Sequence, residues 1–196
     1  MGLKIKHNRA LGFENDFQLK SETPLIFENF RNFESFYGAV YQRMFQPLFS
    51  YGMQICGNRE LVKDCIQELF SELWKNQKTL IKVKLIKPYL FKCLKRKIKS
   101  ELLKGNRLSI EGRFDFQISH DIKLINDQDY LNNQNLLNKA LKSLTDRQRE
   151  AIYLKFYGNL PYDEIAKILN ITTKASYKLI SRALSLLKTT MPSSRD

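Results

Sequence analysis

Two small all-helical domains joined by a flexible acidic linker are what this sequence predicts, on three observations. Apolar residues recur every three or four positions over several long segments, the periodicity of helices that bury one face. These segments are bounded by helix start and stop signals: Asn58, the Thr145–Gln148 pair, Gly105 and Gly158. From Leu108 to about Tyr130 the periodicity lapses, and five acidic residues stand against two basic ones. The expected division is an N-terminal extension over residues 1–30, a helical domain over 31–105, the linker over 106–130, a second helical domain over 131–190 and a tail over 191–196.

In the first domain, Phe33, Phe36, Tyr37, Val40, Tyr41, Met44, Phe45 and Leu48 step along one face of a helix with an aromatic-rich core side. Asn58 fits the N-cap of a second helix reaching about Asn76, which buries Val62, Ile66, Leu69, Phe70 and Leu73. Pro88 suits the first turn of a third helix, "PYLFKCLKRKIKSELLK", which Gly105 ends. Helical pattern resumes at Leu131. Thr145 and Gln148 form a capping box, and the helix they open stops at Gly158.

The segment "DEIAKILNITTKASYKLISRAL" then reads as two short helices joined by a tight turn. In the first, with Pro161 in its opening turn, Ile165, Ile168 and Leu169 face inward and Ala166 is small enough for two helices to cross closely. Asn170 suits the turn because asparagine tolerates positive φ. The second helix starts near Thr173 and buries Ile180, Ala183, Leu184 and Leu187. Ser176 shares that face and is expected to weaken its packing slightly.

Composition narrows the function. At 196 residues and 43% hydrophobic, the chain can build cores, and its formal net charge of +13 predicts an anionic partner. Cys56, Cys65 and Cys93 form no CxxC pair and lie in helical patterns, as buried free thiols of a reducing compartment would. His7 and His120 lack metal-ligand spacing, so neither a metal site nor a cofactor is expected. No apolar run approaches the roughly 18 residues of a membrane span. The basic first ten residues lack the apolar core of a signal peptide. A cytoplasmic protein is the expectation.

The charge is unevenly placed. From Lys78 to Arg107 there are eleven Lys or Arg and one acid, Glu101, a net +10. Such density costs stability through like-charge repulsion unless a polyanion neutralises it. Phe91, among these charges, is expected in the core; Tyr89 could stack on unpaired bases. The preceding helix has the opposite sign: Asp64, Glu68 and Glu72 recur every four residues beside Gln67. A solvated stripe or a docking face for a basic protein would both produce this pattern. In the hairpin, Thr173, Lys174, Tyr177, Lys178, Ser181 and Arg182 point outward, with Tyr162 at the start of the first helix. These donors, cations and aromatics suit phosphates and base edges in a major groove.

Here a family resemblance enters. "DCIQELFSELWKN" resembles the D-x-x-Q-E-x-F-x-x-x-W signature of region 2.2 in bacterial sigma factors, matching at Asp64, Gln67, Glu68, Phe70 and Trp74. "YLFKCLKRKIKSELLK" stands where regions 2.3 and 2.4 follow, and "LTDRQREAIYLKFYGNLPYDEIAKILNITTKASYKLISRAL" is similar to region 4. The match runs roughly from Phe33 to Lys188 and lacks the additional regions of primary sigma factors, so it resembles the short extracytoplasmic-function (ECF) group of the sigma-70 family.

The resemblance implies a factor that binds core RNA polymerase, recognises and melts promoter DNA and directs transcription initiation, with no catalytic residues and no small-molecule substrate. Asp64, Gln67, Glu68 and Glu72 would dock on the β′ clamp helices. Lys92, Lys95, Arg96 and Lys99 would grip the −10 element. Tyr162, Thr173, Lys174, Tyr177, Lys178, Ser181 and Arg182 would read the −35 element, the same domain touching the β flap. An anti-sigma factor, in this group often membrane-bound, is the expected restraint. Lys95-Arg96 stand where family members often have Arg-Asn, Ser100 where an aspartate is common, and Ala175-Ser176 where Thr-Val is common, so promoter preference is not carried over. The alternative is a free-standing helix-turn-helix regulator that never joins polymerase. Such proteins are usually dimers, and no dimerisation helix is evident.

Overall fold

The computed structural model describes residues 25–104, 114–116 and 128–190. The expected tail, most of the linker and the first 24 residues of the extension lie outside them. Every regular element among the described residues is helical: a 3-10 turn at Phe27–Asn29, then α1 (Phe33–Cys56), α2 (Arg59–Lys75), α3 (Gln77–Lys82), α4 (Ile86–Lys104), α5 (Gln128–Ser143), α6 (Asp146–Phe156), α7 (Tyr162–Leu169) and α8 (Thr173–Thr190).

The helix α1 starts where the Asn32 side chain accepts the Ser35 N–H at 2.9 Å. It ends at Gly57, whose φ of 62° only glycine adopts freely. Beyond Leu48, Tyr51, Gly52 and Ile55 continue its buried face. At Gly52 a Cβ would lie 2.6 Å from the Val62 side chain and 3.2 Å from that of Ile98, so glycine lets α1, α2 and α4 converge. Asn58 caps α2 as expected, accepting from the Leu61 N–H at 3.1 Å. The stripe Val62, Ile66, Leu69, Phe70 and Leu73 is buried, and so is Phe91 in α4. α1, α2 and α4 pack against one another in pairs. The short α3 escaped the sequence pattern: with Leu80 its one buried residue, it has no stripe to detect.

The second group is α5 to α8, in which α8 packs on each of the other three. The capping box is present, the Gln148 side chain accepting the Thr145 N–H at 2.9 Å and the Thr145 hydroxyl accepting the Gln148 N–H at 3.3 Å. Asn170 adopts φ 53° and makes the turn between α7 and α8. Ala166 is buried at their crossing.

Several expectations need correction. Leu184 is 41% exposed, because α8 turns that side away from α6 and α7, and Tyr41 is exposed at the edge of the α1 core face. Pro161 is the N-cap of α7 rather than part of its first turn. Cys65 is buried, but Cys56 and Cys93 are only half-buried; all three thiols are free. Ser176 is no weak point. It is fully buried, and its hydroxyl reaches the Tyr162 carbonyl at 2.9 Å and the Thr173 carbonyl at 2.8 Å, tying the starts of α7 and α8 together. Ser176→Ala is therefore expected to lower stability by about 1 kcal/mol, read as a lower denaturation midpoint at unchanged slope.

The two groups share one hydrophobic core, with α4 packed on α7. Residues 114–116 lie between them. Phe114 and Phe116 are buried, Phe114 beside Tyr51 and Tyr153, and Phe116 beside Tyr153 and Tyr157. The backbone is held on both sides: Asp115 N–H donates to the Gln54 carbonyl at 2.9 Å, and Arg149 Nε donates to the Phe114 carbonyl at 2.8 Å.

Candidate nucleic-acid and partner-binding surfaces

Three surfaces follow from this packing. On α2, Asp64, Gln67, Glu68 and Glu72 all lie exposed, because the Val62–Leu73 stripe claims the opposite side of the helix. Their charge is not free of the rest of the chain. Lys97 of α4 reaches Glu68 at 3.0 Å and Glu72 at 2.8 Å. Burial works against the Lys97 ammonium, but the hydrogen bonds it donates to the two carboxylates outweigh it and hold the group above its usual range. Sequence spacing could not reveal this pairing, which joins residues 25 and 29 positions apart. Trp74, at the end of the same helix, is 43% exposed, with its ring 4.9 Å from that of Tyr37 and 5.5 Å from that of Phe33.

Along α4, Lys92, Arg96 and Lys99 are exposed, as a DNA-facing row requires. Lys95 is different. Its ammonium lies 2.6 Å and 2.7 Å from the two carboxylate oxygens of Glu150, in α6 of the other group. The first of these oxygens also accepts the hydroxyl of Tyr51, at 2.5 Å. Tyr51 is fully buried and Glu150 nearly so, and burial, followed by the Glu150 charge, holds the phenol protonated well above its ordinary range. Glu150 is the one buried acid among the described residues, and its sequence surroundings do not mark it: it sits inside "TDRQREAI", where its neighbours are mostly polar.

On α8, Thr173, Lys174, Tyr177, Lys178, Ser181 and Arg182 are all exposed, together on the side away from the core. Tyr162 stacks on Tyr177 with ring centroids 3.8 Å apart, and the Lys155 ammonium lies 4.6 Å from the Tyr162 ring centre. This stack joins the first turn of α7 to α8 beside the outward cations. Stacking on Tyr162 restricts the Tyr177 ring before any ligand arrives, and Lys155 in turn holds the Tyr162 ring.

Fold and surfaces together define an all-helical protein in which a helix-turn-helix is carried beside a second helical unit with its own cationic row. Comparison with known proteins sharpens this. Residues 134–187 match the family model "Sigma-70, region 4". Among solved structures, the chain is similar to the sigma factor RpoE from Bartonella quintana, solved in complex with the anti-sigma factor NepR. That likeness has a TM-score of 0.56 and 20% sequence identity, and covers 79% of this chain and 96% of that one. No curated protein matches. The C-terminal segment is thus similar to region 4 of sigma-70 factors, and the chain shares its fold with the sigma factor RpoE. Among the described residues, no helix is long and apolar enough to cross a membrane.

Proposed function

We propose that this chain joins core RNA polymerase in the cytoplasm, recognises and melts a promoter, and directs initiation there. The observation that carries this is the neighbouring of two opposite charge rows in one helical unit, exposed carboxylates on α2 and cations on α4, in a chain that also holds a region 4 module. One anionic partner would not explain the α2 carboxylates; a polymerase surface and a DNA strand explain both. In this assignment residues 31–105 form the region 2-like domain, 106–130 the linker and 131–190 the region 4-like domain. Asp64, Gln67, Glu68 and Glu72 meet the β′ clamp helices. Lys92, Lys95, Arg96 and Lys99 hold the −10 element, and the α8 row with Tyr162 reads the −35 element. The β flap is met by the second domain. A protein restraint of the anti-sigma kind is expected, as the related RpoE has one in its complex.

The test is run-off transcription with core polymerase on a library of genomic fragments, with start sites mapped by sequencing. The expected result is protein-dependent initiation from a small set of sites sharing two spaced elements. Binding to duplex DNA with neither core binding nor initiation would instead make the chain a free-standing regulator.

A further inference from the structure

Tyr177 differs in chemistry from the rest of the outward row of α8. Thr173, Lys174, Lys178, Ser181 and Arg182 offer charges or hydroxyls, whereas Tyr177 presents a large apolar ring that is 53% exposed. It lies one turn in from the start of α8 at Thr173. In a recognition helix that enters a major groove, this is the part that meets base edges.

The ring is placed before any DNA arrives. Tyr162 stacks on it with centroids 3.8 Å apart and planes 19° from parallel, so one face is covered. The stack has two supports. The Ser176 hydroxyl holds the Tyr162 carbonyl at 2.9 Å, which fixes the first turn of α7 against α8. The Lys155 ammonium lies 4.6 Å from the Tyr162 ring centre. What Tyr177 has left to offer is its outer face and edge, in an open hollow that Lys178, Ser181 and Arg182 also line.

Groove chemistry then selects the target. The cations of the row suit phosphates and its hydroxyls suit base-edge hydrogen bonds, but a hydrocarbon ring satisfies neither. Within the major groove the base pairs present donors, acceptors and one apolar group, the C5-methyl of thymine. Burying that methyl against the ring is favourable. A cytosine amine or a guanine carbonyl pressed on the same ring would lose water and gain no partner.

We propose that Tyr177 reads one thymine of the promoter element through its C5-methyl, and that Tyr162 is the positioning residue that holds the ring for this contact. The proposal rests on the hairpin being the reader of the −35 element, and adds the base it selects and the group it selects by.

The test starts from the duplexes that the full chain, alone and with core polymerase, selects from a random library. Each thymine of the enriched element is then replaced singly by uracil, which removes the methyl and leaves every hydrogen-bonding group in place. One such replacement is expected to weaken wild-type binding about fourfold, the worth of burying one methyl group. Tyr177→Ala should bind the thymine and uracil duplexes equally. Tyr177→Phe should keep the discrimination, because the ring and not the hydroxyl makes the contact. Tyr162→Ala should lose most of it at unchanged salt slope, and Tyr162→Phe, which retains the stack, should restore it; a merely structural role would lower affinity for both duplexes alike. Thermal melts of each variant establish folding, and the wild-type uracil series alone can overturn the proposal if a variant does not fold. No methyl-sensitive thymine, a methyl effect that survives Tyr177→Ala, or equal losses in Tyr177→Phe and Tyr177→Ala would each overturn it. Failure of the underlying reading looks different: no element is enriched at all, and the proposal falls with it.

Discussion

Reversing Glu68 and Glu72 together to lysine is expected to weaken binding to core RNA polymerase by about a hundredfold. Like charges set against each other across an interface cost several kcal/mol, and each ~1.4 kcal/mol is tenfold. The cost to the fold is small. Both side chains are more than half exposed, and the pairs they lose with Lys97 are of a kind worth about 0–1 kcal/mol each. The melting temperature should fall by only about 2–4 °C per kcal/mol lost in a chain of this size. Duplex binding by the hairpin should be unchanged, because α8 carries none of the substituted residues. The measurement is a titration of labelled protein with core polymerase, beside a DNA titration of the same sample. Parallel loss of both would mark unfolding and remove the docking assignment.

The second large effect concerns α8. Replacing Lys174, Lys178 and Arg182 by alanine is expected to flatten the salt dependence of duplex binding by about 2.7 in log–log slope, at about 0.9 per phosphate contact. Affinity at low salt should fall about a hundredfold. All three residues are exposed, so stability should be nearly unaffected. If the slope is unchanged, these cations do not meet phosphates, and the α8 face is not the DNA surface. Tyr177→Ala, alone, should act differently: it removes the partner that stacks on Tyr162 and should alter sequence preference more than salt slope.

Much of the candidate site is legible in the sequence because it depends on one helix at a time. The carboxylates on α2 are exposed because a neighbouring stripe is buried, and both facts follow from 3.6-residue periodicity. The same holds for the α8 row. Lys95 shows where this logic stops. Its spacing puts it in line with Lys92, Arg96 and Lys99, yet among the described residues it is taken by a carboxylate 55 positions away. Leu184 fails in the opposite sense: its spacing fits the buried face of α8, but no helix covers it there.

By itself the sequence determined the helices, their caps and the outward chemistry of each. Asn58, the Thr145–Gln148 box and Asn170 act on backbone within a few residues, so their meaning is local. Only the tertiary structure decided which helix faces meet. Phe114 and Phe116 carry no periodic signal in an acidic stretch, and become structural only because Tyr51, Tyr153 and Tyr157 converge around them. Glu150 likewise looks like a solvent-facing acid until α1 and α4 close over it. Burial is a property of the assembled surface, and only burial singles out the Glu150 charge.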